Sequence, residues 1–215
     1  MLIEDDIKLD YSDVLLRPKR SILTSRSEVE MERTYTFYHS RRVWTGIPVM
    51  ASNMDTTGTF EMHDVLQKNK IVTCIARHYN KDIANWKDRE YEHICAMSGI
   101  SDVEISELTE IVSTWPQISF VGLDVANGYT KNFVDSIKYL RDRLGQHATI
   151  VAGNVVTADM TAELLIAGAD IVKVGVGPGS VCTTRVKTGI GYPQLSAVIE
   201  CSDAAHGVGG HIIAD

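Results

Sequence analysis

The feature that most constrains this chain is an alternation. From about Ile47 onward, short runs of apolar and β-branched residues take turns with longer amphipathic segments. Candidate strands cover 48–51, 71–76, 94–96, 120–125, 150–152, 171–174 and 211–214. Most are continuously apolar, as strands buried on both faces of a parallel sheet are. The segments between them carry helix punctuation. One starts at Thr130, buries Phe133, Ile137, Leu140 and Leu144 at spacings of four, three and four, and stops at Gly145. Another, capped by Thr157, carries Met160, Leu164 and Ala167 and stops at Gly168. A third runs from Ser101 through Ile105, Leu108 and Val112 to Trp115-Pro116.

Strand-helix alternation implies right-handed crossovers and a parallel sheet, either open and doubly wound or closed into a barrel. Two observations favour an α/β fold of the (β/α)8 TIM barrel type. The best glycine cluster, Gly175, Gly177 and Gly179, has Ser180 where a dinucleotide fingerprint needs its third glycine. Polar residues also gather at the carboxyl ends of successive strands: Ser52 and Asn53, Arg77, Asp124, Asn154, the 175–182 stretch and Asp215. Singly, a polar strand end is ordinary; as a series it is the layout of a barrel active site. Residues 1–46 stand outside the alternation and divide the chain into an arm with a hairpin and a barrel domain over 47–215. The arm runs extended from Asp10 to Pro18, and 29–38 alternates like a hairpin strand. Both could cap a barrel floor or reach a neighbouring subunit.

Charge and composition exclude several classes of partner. The formal net charge of the 215 residues is -7, and the basic residues are scattered apart from Arg17, Lys19 and Arg20. That is not the broad basic footprint nucleic acid requires. Asp170 and Lys173 interrupt the longest apolar stretch, so no membrane span is expected. Glu4, Asp5 and Asp6 have the wrong sign for a leader peptide, which makes a cytoplasmic protein the default. Cys74, Cys95, Cys182 and Cys201 lie far apart and are read as free thiols, and no Cys/His spacing would hold zinc.

The most informative stretch follows the sixth candidate strand: Val174-Gly175-Val176-Gly177-Pro178-Gly179-Ser180-Val181-Cys182-Thr183-Thr184-Arg185. Alternating glycines and a proline make it a tight loop with its backbone groups free for use. It presents one thiol among hydroxyls, three residues before a fixed positive charge. A cysteine nucleophile reacts as its thiolate, and such a loop is where a reactive one belongs. The competing reading is a small buried hydrophobe in a structural turn, the reading given to Cys74, Cys95 and Cys201. The residues alone leave both open.

The run from Gly177 to Arg185 closely resembles the catalytic cysteine loop of the IMP dehydrogenase and GMP reductase family. Asn53-Met54-Asp55-Thr56, the 124–129 run Asp-Val-Ala-Asn-Gly-Tyr, the 152–157 run Ala-Gly-Asn-Val-Val-Thr and the stretch from Gly191 to Cys201 resemble its reductase branch. There is also no room early in the barrel for the regulatory domain pair usual in the dehydrogenases. The resemblance implies a (β/α)8 enzyme that converts GMP, with NADPH, to IMP and ammonia. It implies that Cys182 attacks purine C2, and that Thr184 assists the proton transfer the amine needs to leave. It implies carbonyl ligation of a monovalent cation, potassium, by Gly177, Gly179 and Cys182 with Arg185 alongside. Cofactor contacts would come from Arg77, Asp124, Val125, Ala126, Val176 and Gly177, and from Ser25 and Arg26 toward a neighbouring chain of a homotetramer. Asp215 matches the aspartate that holds the nucleotide ribose. At Arg77 the reductases usually have lysine; arginine keeps the charge but does not readily donate a proton. Lys173, inside an apolar strand, needs a carboxylate partner such as Asp124.

IMP dehydrogenase-type oxidation with NAD and a non-catalytic nucleotide-binding protein are the alternatives. Seven candidate strands are one short of a closed barrel. The expectation is therefore a barrel truncated after the seventh strand, the first part of a longer enzyme, inactive and poorly soluble by itself.

Overall fold

The computed structural model describes Ile3 and residues 5–215. A hairpin of β1 (Arg33–Thr36) and β2 (Val43–Gly46) precedes a seven-stranded sheet. Its strands are β3 (Met50–Ala51), β4 (Val72–Ile75), β5 (Ile94–Ser98), β6 (Phe120–Asp124), β7 (Thr149–Val155), β8 (Ile171–Val174) and β9 (His211–Ala214). All neighbours are parallel, and spatial order equals chain order from β3 to β9. A doubly wound sheet reverses direction at a switch point. This one does not, and it curls into a half-barrel of the (β/α)8 type with β3 and β9 as its two edges.

The helices are α1 (Phe60–Leu66), α2 (Asp102–Thr114), α3 (Lys131–Leu144), α4 (Ala158–Ile166), α5 (Thr184–Thr188) and α6 (Gln194–Gly207). Between β4 and β5 the chain makes only 3-10 turns, Arg77–Lys81 and Ile83–Trp86. Thr130 caps α3 by accepting the Phe133 N–H, and Ser101 and Glu104 close a reciprocal capping box on α2. Thr157 stands at the cap position of α4 but its side chain accepts no capping hydrogen bond, so that expectation holds for position only.

Both faces of the sheet are buried, which explains the continuous apolar runs. Ile94 and Ala96, Val121 and Leu123, Ile150 and Ala152, Val172 and Val174 face the helices, where they meet Leu108, Phe133, Ile137, Leu140 and Leu164. Each fully buried Val, Leu, Ile or Phe side chain among them contributes about 1.5–3 kcal/mol. The alternate residues Cys74, Cys95, Met97, Phe120, Val151 and Ile171 point inside the curl. The hairpin packs against the amino-terminal ends of the strands, where Phe37 and Trp44 set their rings edge-on to Phe120 at 5.7 and 6.0 Å. Its strand is shorter than the 29–38 alternation suggests, because only 33–36 finds a ladder partner. The extended run 48–51 is likewise reduced to Met50–Ala51, whereas β7 extends past 150–152 on both sides because β6 and β8 flank it.

Candidate active site

The carboxyl ends of β6, β8 and β9 meet around one buried lysine. Lys173 lies inside the curl, 2.9 Å from Asp124 Oδ2 and 3.3 Å from Asp215 Oδ2. Burial pushes its pKa down, but the two carboxylates outweigh it and hold it above the ordinary lysine value. The expected partner, Asp124, is therefore present, and Asp215 is a second. Asn154 Nδ2 donates to Asp215 Oδ2 at 2.5 Å and to the Gly175 carbonyl at 2.8 Å. Asp215 is thus oriented from two sides before any ligand arrives.

A cleft of about 870 Å³ opens over the ends of β4 to β6. Its walls include Arg77, Asp124, Val125 and Ala126, four of the expected cofactor contacts. Arg77 reaches across it to Glu104, Nη1 to Oε1 3.0 Å. Hydrogen bonds from Ser101, with the Arg77 charge beside them, hold the Glu104 carboxyl below its usual range. Ser98, also in the wall, has its hydroxyl buried with no hydrogen-bond partner among the described residues. An unpaired buried donor is costly, so it suits a polar ligand.

The cysteine loop stands next along the rim, between β8 and α5. Cys182 is exposed, and its Sγ lies 3.4 Å from Thr184 Oγ1. Hydrogen bonding from the Thr184 hydroxyl, then from its backbone N–H, and the charge of Arg185 lower the thiol pKa below its ordinary value. Cys74, Cys95 and Cys201 are buried, and burial raises the pKa of Cys95 and Cys201. Of the four thiols, only Cys182 combines exposure with a lowered pKa. Val176 and Gly177 open the loop, and the Cys182 N–H donates to the Gly179 carbonyl at 3.0 Å. Ser25 and Arg26 are exposed, on the 3-10 turn Arg26–Glu28 and its cap.

A family model described as the IMP dehydrogenase / GMP reductase domain matches residues 8–215. The chain belongs to that family. Among curated relatives, it is 54% identical to GMP reductase 2 of Bos taurus over 217 residues, 99% of this chain and 62% of the relative. It is 53% identical to GMP reductase of Caenorhabditis elegans, covering 99% of this chain and 61% of the relative, and 50% identical to that of Phytophthora infestans, covering 99% and 60%. The chain spans about three-fifths of the length of these relatives.

In this member of the IMP dehydrogenase / GMP reductase family, three rim contacts escape a reading of the sequence. Glu104 beneath Arg77 had a signal, since Ser101-x-x-Glu104 is a capping-box pattern whose glutamate sits at the mouth of the barrel. The Lys173–Asp215 pair and a contact between Asp10 and Arg185 had none, because they join distant segments.

Proposed function

We propose that the protein is a GMP reductase, carrying out the NADPH-dependent reductive deamination of GMP to IMP and ammonia. The observation that carries this reading is Cys182, exposed at the barrel mouth, lowered in pKa and within 3.4 Å of the Thr184 hydroxyl. The relatives named GMP reductase support the substrate. Cys182 adds as thiolate to purine C2, and Thr184 passes a proton toward the departing amine so that ammonia rather than amide leaves. Once the amine has left and C2 has gained hydride, expulsion of the thiolate from C2 frees IMP and restores Cys182. Asp215, held by Lys173 and Asn154, orients the ribose.

Arg77, Asp124, Val125 and Ala126 in the cleft, with Val176 and Gly177 on the adjoining loop, would hold NADPH, which supplies the hydride to C2. The cleft volume and the unpaired Ser98 hydroxyl fit a polar cofactor. Ser25 and Arg26 would reach the cofactor of a neighbouring chain in a homotetramer. The carbonyls of Gly177, Gly179 and Cys182, beside Arg185, are hard oxygen donors on one tight turn and suit a potassium ion. No helix among the described residues is long and apolar enough to cross a membrane, in keeping with a cytoplasmic enzyme.

An absorbance assay that pairs GMP with NADPH and, separately, IMP with NAD tests the proposal. NADPH oxidation that requires GMP supports it. NAD reduction driven by IMP would identify dehydrogenase chemistry instead, and binding without either reaction would leave a nucleotide-binding protein.

A further inference from the structure

The loop that carries Cys182 is closed at its neck by one side chain. Arg185 Nε donates to the Val176 carbonyl at 3.2 Å, where the loop begins, and its Nη2 donates to the Tyr192 carbonyl, where the loop ends. The side chain runs between two glycines: a Cβ on Gly177 would lie 2.9 Å from Arg185 Cγ, and one on Gly191 would lie 2.6 Å from the same atom. Its remaining fork is taken by the N-terminal arm. Arg185 Nη1 is 3.1 Å from Asp10 Oδ2, while Asp10 Oδ1 accepts the backbone N–H of Gln194, the first residue of α6. Pro193, at the cap position of α6, makes no side-chain cap, so a residue 184 positions away caps this helix. The arm is docked beside it, because Leu9 and Ser196 exchange hydrogen bonds of 2.8 and 3.1 Å and Lys8 pairs with Glu200 at 2.8 Å.

We infer that Asp10 is a positioning residue, which fixes the Arg185 guanidinium and so holds the neck of the Cys182 loop closed. A guanidinium with only carbonyl partners is free to pivot. A carboxylate in its fork, itself pinned to a helix, gives it one orientation. Asp10 touches no reacting atom and acts through Arg185. The kinetic consequence rests on the reductase reading; the effect on loop mobility does not.

The test compares the intact wild-type protein with Asp10→Asn, Arg185→Lys and Glu200→Gln. Asparagine keeps an oxygen for the Gln194 N–H and removes the charge from Arg185. Hydrogen exchange over 176–192 in the ligand-free protein should quicken about ten-fold in Asp10→Asn, the scale set by a lost charge-assisted bond, with β6 and β7 unchanged. Arg185→Lys should reproduce that loosening with the arm intact. Glu200→Gln, which removes the charge from the Lys8 anchor of the arm while keeping an oxygen for the Tyr192 hydroxyl, should leave the loop as in wild type. In GMP-dependent turnover, kcat of Asp10→Asn should fall about 10- to 100-fold, with KM for GMP held within about two-fold. Unchanged exchange over 176–192 in Asp10→Asn, or equal loosening in Glu200→Gln, overturns the inference. A wild-type protein that fails to oxidise NADPH with GMP refutes the reductase reading instead, and the exchange measurement still decides the role of Asp10.

Discussion

Two buried titratable side chains show how individual residues secure this half-barrel. Asp170 is fully buried, and it accepts hydrogen bonds from the backbone N–H groups of His39, Ser40 and Ile150 and from Arg141 at 2.6 Å. Through them it ties the hairpin, α3 and β7 to the start of β8. Asp170→Ala removes the acceptor and strands a mostly buried guanidinium, at a cost of about 3–5 kcal/mol. Urea denaturation should show that loss, and a change below about 1 kcal/mol would contradict it. His63, also fully buried, is held below the ordinary histidine pKa by burial, which outweighs its hydrogen bond to the Glu90 carbonyl. A depressed folded-state pKa means that the neutral ring is favoured on folding. Its stabilisation is present above the unfolded value of about 6.5 and is lost as pH falls through the folded one. His63→Gln should therefore flatten the fall of melting temperature below about pH 6.5. A slope equal to wild type would show that His63 does not contribute.

Helix ends depend on short-range chemistry, and they were the most legible elements. Ser101 accepts the Glu104 N–H and also donates to the Glu104 carboxylate at 2.6 Å. Ser101→Ala should cost about 1 kcal/mol in chemical denaturation and leave Glu104 held by Arg77 and by the backbone N–H of residue 101; no measurable loss would contradict the cap. The α2 and α3 boundaries follow from Ser101, Thr130 and Gly145 because caps and stops are set within a turn of chain. Strand ends are less readable, since the extent of β3 or β7 depends on whether a neighbour supplies a ladder partner. The same locality governed the site. Cys182 and Thr184 are two residues apart and stand out in one loop, and Lys173 announces a need for a carboxylate because it is a charge in an apolar strand. Asp10 against Arg185 carries no such mark, since its partner lies 175 positions away.

Across the whole molecule, the sequential parallel order places every β-to-α loop on one rim. The cleft of Arg77 and Asp124, the Lys173 cluster and the Cys182 loop are therefore neighbours, although they come from separate segments. Sequence polarity at the strand ends foretold this gathering. The proposed mechanism turns on one sulfur at that rim. The most direct measurement is Cys182→Ala in the intact protein, with GMP binding followed by calorimetry and NADPH oxidation by absorbance. The account predicts GMP affinity within several-fold of wild type and no GMP-dependent oxidation of NADPH. Wild-type turnover by that variant would contradict covalent chemistry at Cys182.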